Sequence, residues 1–270
     1  MDNLPICFIE ETIWQVGSYS FLETLLYCPT PWGKIAEAGM QQSYISIYIN
    51  GNKFSLVSLH LTFDSIKRHL ATTRSYRIGR IEFNNDVRST NDYELNNENL
   101  KILQIMLSKN VKVTSVIIGK SYENLKIVES LLTSASRIRH LHFGCCNSES
   151  LQMILESALS RGTLVDLNGY HSTDLYLTKE LFNILTRLVK GEHFARLCLN
   201  LSENSPVKEE TFIEAIVDIL GKKPIDQRYL FTGKSKIDKM LKAKKLSGRI
   251  RNIYSYDRDY TLFGRMSNRE

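Results

Sequence analysis

No run of eighteen consecutive apolar residues occurs in this sequence, so nothing in it predicts a membrane-spanning helix. Its start lacks a basic segment followed by an apolar core. Glu10 and Glu11 fall where that core would be, so no secretory signal is expected. Cysteines are few, odd in number and irregularly spaced: Cys7, Cys28, Cys145, Cys146 and Cys198. They fit reduced core residues of an intracellular protein, in cytoplasm or nucleus, rather than a disulfide framework. The one glycosylation sequon, Asn200-Leu201-Ser202, falls in an expected strand and carries no weight. Also missing are the phosphate-binding G-x-x-x-x-G-K-[ST] loop, the dinucleotide G-x-G-x-x-G turn, the H-E-x-x-H helix and the G-x-S-x-G elbow. Catalytic residues and cofactors are therefore not expected, and the function classes built on those motifs drop out.

Charge of one sign is scarce everywhere except at the end. The chain of 270 residues carries a net charge of +6. Residues 221–270 hold fourteen Lys/Arg against five Asp/Glu, whereas residues 71–220 hold seventeen against eighteen. The excess is thus a property of the last fifty residues. Lys234, Lys236, Lys239, Lys242, Lys244, Lys245, Arg249 and Arg251 are followed by Tyr254 and Tyr256. Phosphate neutralisation with aromatic stacking has this composition, and so does a solvated helix face. No nucleic-acid recognition module accompanies it.

Prolines are few, five in all, and three of them, Pro5, Pro29 and Pro31, punctuate the first forty residues. Asp2 or Asn3 can cap a helix in which Pro5 takes an early position that needs no N–H. Phe8, Ile9, Ile13 and Val16 follow at helical spacing, and Gly17-Ser18 ends the segment. A second helix carries Leu22, Leu25 and Leu26 and stops at Pro29. Thr30-Pro31 then opens a third with Trp32 and Ile35. Residues 1–43 are read as this three-helix unit.

Residues 44–220 change period. "YISIYINGNKFSLVSLHL" alternates on either side of Asn50-Gly51, which predicts a β-hairpin. Apolar strands are then expected at 80–83, 113–119, 138–143, 163–168 and 196–201. Between them run helices marked by Leu100/Leu103/Leu107, Leu125/Val128/Leu131, Leu151/Ile154/Leu155, Leu181/Leu185/Leu188 and Phe212/Ile213/Ile216/Leu220. Such alternation predicts an α/β fold with a parallel sheet and right-handed crossovers. A doubly wound sheet would need strands apolar on both faces. These are half polar: Leu141 and Phe143 alternate with His140 and His142, and Leu197 and Leu199 with Arg196 and Cys198. The expectation is an irregular, leucine-rich-repeat-like β-α solenoid, one face bare, without the repeated turn asparagine. Residues 221–270 are read as a basic helix followed by a capping hairpin turning at Asp257–Asp259.

The polar strand positions Glu82, His140, His142, Asp166 and Arg196 are expected to share the bare face and to contact a protein target. The same acid–base mixture would also suit catalysis, but no nucleophile is visibly paired with a base. His140 and His142 with Cys145 and Cys146 have metal-like spacing. They lack a second ligand pair, and no metal is expected.

The N-terminal register carries one resemblance. Leu4-Pro5 followed by Phe8, Ile9, Ile13 and Val16 resembles the first helix of an F-box. Leu22, Leu25, Cys28, Trp32 and Ile35 are spaced like its second half. With β-α repeats behind it, the chain is similar to the divergent, lineage-expanded F-box proteins of nematodes. It departs from the pattern at Thr12 and at Pro29-Thr30-Pro31. The resemblance implies a non-catalytic adaptor that docks on a Skp1-like protein of a cullin-based ubiquitin ligase and holds a protein substrate. It implies adaptor contacts at Leu4, Pro5, Phe8, Ile9, Leu22, Leu25 and Trp32. A plain repeat scaffold and a nucleic-acid binder are the alternatives.

Overall fold

The computed structural model describes residues 32–41, 45–58, 61–71, 76–84, 92–110, 112–144, 147–169, 174–223, 229–232 and 250–252, together with Ile9, Thr12, Leu25, Tyr27 and Cys28. Seven helices and ten strands fall within them. The helices are α1 (Trp32–Gln41), α2 (Phe63–His69), α3 (Asn97–Ser108), α4 (Leu125–Leu132), α5 (Ser148–Arg161), α6 (Lys179–Lys190) and α7 (Glu209–Gly221). The strands are β1 (Ile45–Asn50), β2 (Lys53–Val57), β3 (Ile78–Phe83), β4 (Asp92–Glu94), β5 (Thr114–Ile118), β6 (Ile138–Phe143), β7 (Asp166–Gly169), β8 (Arg196–Leu199), β9 (Tyr229–Thr232) and β10 (Ile250–Asn252). No helix among the described residues is long and apolar enough to cross a membrane.

All ten strands join one sheet in the order β10-β9-β8-β7-β6-β5-β3-β1-β2-β4. Only the β1–β2 and β2–β4 pairs are antiparallel. Each parallel step, from β1 to β3 and onward to β9, moves the chain the same way across the sheet. Right-handed crossovers then place the intervening helices on one face. Consecutive helices accordingly pack side by side, α3 on α4 through to α6 on α7. Among the described residues, α3–α7 form one layer on a mostly parallel sheet, an α/β arrangement that is not doubly wound.

Side-chain period follows. Ile47, Ile81, Val116, Leu141, Leu167 and Leu197 stand in register from β1 to β8 and are at most 3% exposed. A one-residue slip would turn this row to solvent, so the pattern itself fixes register. Helix starts are as locally determined. Asn96, Asn124 and Asn147 cap α3, α4 and α5 by accepting from the N–H of Asn99, Ile127 and Ser150, and Thr178 does the same for Leu181 in α6.

Several expectations need correction. The hairpin is present, but Asn50 pairs with Lys53, so the two-residue turn is Gly51-Asn52, one position further on. Gly51 takes φ 57°, which an L side chain adopts at a cost. The strand expected at 163–168 begins at Asp166 and ends at Gly169. Helix α2, edge strand β4 and strand β9 were not foreseen. Within the described residues β10 pairs in parallel with β9; the second strand of the expected capping hairpin lies outside them. The basic run 234–249 and the turn at Asp257–Asp259 lie outside the described residues.

Gly169 ends β7 where the chain passes Phe143, which is 2% exposed. A Cβ at Gly169 would clash with the edge of the Phe143 ring. Gly169→Ala is expected to lower stability by about 1–3 kcal/mol through overpacking. A urea titration checks this, with Gly162→Ala, which meets no atom at its Cβ, isolating the cost of a left-handed φ alone.

Candidate functional site

The sheet face that no described helix covers carries two rows, polar but for Ile117 and Cys198. One runs Arg80, Ser115, His140, Asp166, Arg196; the other runs Glu82, Ile117, His142, Asn168, Cys198. Asp166 is the centre of the first. It is 4% exposed although no described helix covers this face. Arg196 Nη1 donates to its Oδ2 at 3.3 Å. His140 Nδ1 and His142 Nε2 approach the same oxygen to 3.5 and 3.6 Å. The other oxygen, Oδ1, is buried and has no hydrogen-bond partner among the described residues. Burial alone would raise the Asp166 pKa. The two imidazoles and the Arg196 guanidinium outweigh it and hold the carboxyl at about 2.

Four of the five expected face residues are thus brought together, and Glu82 is not. Its partner is Arg80, two residues earlier on the same strand face, which donates from Nη2 at 2.6 Å and from Nε at 3.0 Å. Ile117 stands between Glu82 and His142 in the register. Asn168 and Cys198 also occupy the face; the strand period places Cys198 there, but neither is among the expected target contacts. Their signal was the same period of two that exposed Asp166 and Arg196. Among the described residues no group of three or more His, Cys, Asp or Glu is placed to hold a metal ion. Cys145 and Cys146 lie outside the described residues.

The N-terminal residues make a second, separate hydrophobic cluster. Ile9 and Ala36 are fully buried and Leu25 is 9% exposed, with Cys28, Trp32 and Ile35 packed against them. None of these belongs to the core between sheet and helices. Ile9 and Leu25 are buried within this cluster, where removing apolar surface from water is favourable. Trp32 is half-buried, with Nε1 enclosed and unpartnered among the described residues. Tyr27 is 91% exposed. Leu4, Pro5, Phe8 and Leu22 lie outside the described residues, so of the three expected helices the third is seen as α1, while Ile9, Thr12 and Leu25 are helical.

No family model matches the chain, and no curated protein matches it. Among solved structures, the tropomodulin C-terminal domain from Caenorhabditis elegans is similar over 52% of this chain and 83% of its own, with 14% identity and a TM-score of 0.33.

Proposed function

We propose that the chain is a non-catalytic recognition adaptor. Its N-terminal unit docks on a Skp1-like adaptor of a cullin-based ubiquitin ligase, and the bare face of a leucine-rich-repeat-like sheet holds a protein target. The observation that carries this reading is the pair of separate hydrophobic clusters. A helical unit of about forty residues that packs separately from the main core gives little stability alone, and a partner's helices would supply the rest. With Ile9 and Leu25 buried in the unit's own cluster, the contacts we assign to docking are Leu4, Pro5, Phe8, Leu22 and Trp32, and Tyr27 offers an exposed aromatic.

The target face suits recognition by fixed charge. Asp166 is held ionised, and Arg80 with Glu82 and Arg196 with Asp166 are pre-oriented by their own pairing. A partner meets groups that lose little freedom on binding. The test is co-expression with a Skp1-like protein. The full chain should retain it through size exclusion, and a chain lacking residues 1–43 should not, while its far-UV melt stays cooperative. If the full chain never retains it, the reading fails. If the deletion melts the sheet, the N-terminal unit is only a cap on a repeat scaffold.

A further inference from the structure

Carboxylate and guanidinium groups hold one charge across the neutral range, whereas an imidazole changes between neutral and charged forms there. The two rows on the uncovered sheet face contain both kinds. Arg80 and Arg196 are matched in number by Glu82 and Asp166, so the fixed charges of the rows sum to zero. His140 and His142 stand among them. Each protonation there adds one positive charge, and two turn a balanced patch into a doubly positive one. This change holds whatever else the fixed charges touch.

The geometry puts that change where a partner meets it. The His140 and His142 side chains are 38% and 21% exposed, and the Asp166 side chain is 6% exposed. A partner therefore reaches the imidazoles before the carboxylate. Their neighbours on β5 are Ser115 and Ile117, both uncharged. On β7 they are Asp166 and Asn168. On β8, Arg196 donates to Asp166 and Cys198 is buried. Arg139 adjoins His140 along β6. Arg80 and Glu82, on β3, are paired with each other. Among the described residues of the rows, the two imidazoles are thus the exposed groups whose charge follows pH.

We propose that the target face is gated by pH: it takes an acidic segment of its target once His140 and His142 are protonated, and releases it as they lose their protons. The inference rests on the reading of this face as the target-binding surface, and not on the docking of residues 1–43. An extended segment fits the pair. His140 and His142 lie two residues apart on one strand, about 6.7 Å along it, and alternate side chains of any extended chain repeat at that distance. Carboxylates at alternate positions of the target would meet one imidazole each. With both rings neutral, the Asp166 carboxylate beside them opposes a further anion.

The experiment is fluorescence anisotropy on the full chain at pH 6 and pH 8, at one low ionic strength, with a labelled peptide of alternating Glu and Thr. Its carboxylates stay ionised at both values. The peptide should bind about tenfold or more tightly at pH 6. The double variant His140→Gln with His142→Gln keeps N–H donors beside Asp166 and removes the titration, so its affinity should be equal at the two values. Each single variant leaves one imidazole and should show an intermediate ratio. His193→Gln, exposed between α6 and β8, is the control and should keep the full ratio. Thermal melting at both values checks that each variant is folded. Absent binding at pH 6, equal binding at both values by the wild type, or a pH dependence that survives in the double variant overturns the proposal. Retention of a Skp1-like protein is read separately, so a failed gate and a failed docking unit are told apart.

Discussion

Asn110→Ala is expected to lose about 3 kcal/mol of stability, the largest effect of any single polar substitution in the sheet. Asn110 is 4% exposed and follows α3 where the chain turns into β5. Its Nδ2 donates to Thr114 Oγ1 and Lys112 O, both at 2.7 Å, and to Ile78 O at 3.0 Å. Its Oδ1 accepts from Ile78 N at 2.8 Å and Lys112 N at 3.3 Å. One side chain thereby ties the start of β3 to the start of β5. Truncation strands the buried Ile78 N–H, and each such group costs about 1–3 kcal/mol. Asn110→Asp keeps the acceptor, loses the donor and buries a charge, so it should be at least as damaging. Urea midpoints at unchanged m-value measure both. A loss below about 1 kcal/mol for Asn110→Ala would mean that the strand starts are held by other means.

Asp166→Asn is expected to cost about 2 kcal/mol at neutral pH, a cost that shrinks in acid. The folded pKa of about 2 lies below the ordinary value of 3.8. A depressed carboxyl pKa stabilises the fold at every pH above the unfolded value, and that contribution is lost as pH falls toward the folded one. The shift corresponds to about 2 kcal/mol. Burial works against it, so the gain comes from Arg196, His140 and His142. Urea titrations of wild type and variant at pH 7, 5, 4 and 3 should show a constant gap down to about pH 4 and a narrowing one below. A gap that does not change with pH would mean that Asp166 is held by packing rather than by charge.

What was legible in the sequence was whatever repeats locally. Ile138–Phe143 could be read residue for residue, because Leu141 and Phe143 alternate with two histidines. The helices over 97–190 carry leucine spacing and Asn or Thr caps, and α7 shows the same helical period in Phe212, Ile213, Ile216 and Leu220 without such a cap. The missed elements lack such signals. Strand β4 is three residues, and only Tyr93, packed on Phe54 and Phe63, marks it as structural. Helix α2 has seven residues, and Phe63 and Ile66 are its buried pair. Strand β9 hides beside the basic run.

At the site, period two identified the face but not the distances across it. Glu82 was grouped with His142 because both point the same way. The sheet puts a strand between them and gives Glu82 to Arg80. Asn110 escaped notice because its role depends on the carbonyl and N–H of a residue thirty-two positions away, which only the fold brings near. Ile9 and Leu25 illustrate a different limit. An apolar spacing does not say whether its residues face a partner or each other, and here they face each other.

The most direct test of the account is hydrogen exchange on the full chain, with and without a purified Skp1-like protein. The account predicts slowed exchange confined to residues 1–43 when that protein is added, with strands β3 to β8 unchanged. Unchanged exchange over residues 1–43, or protection appearing on the sheet instead, would contradict it.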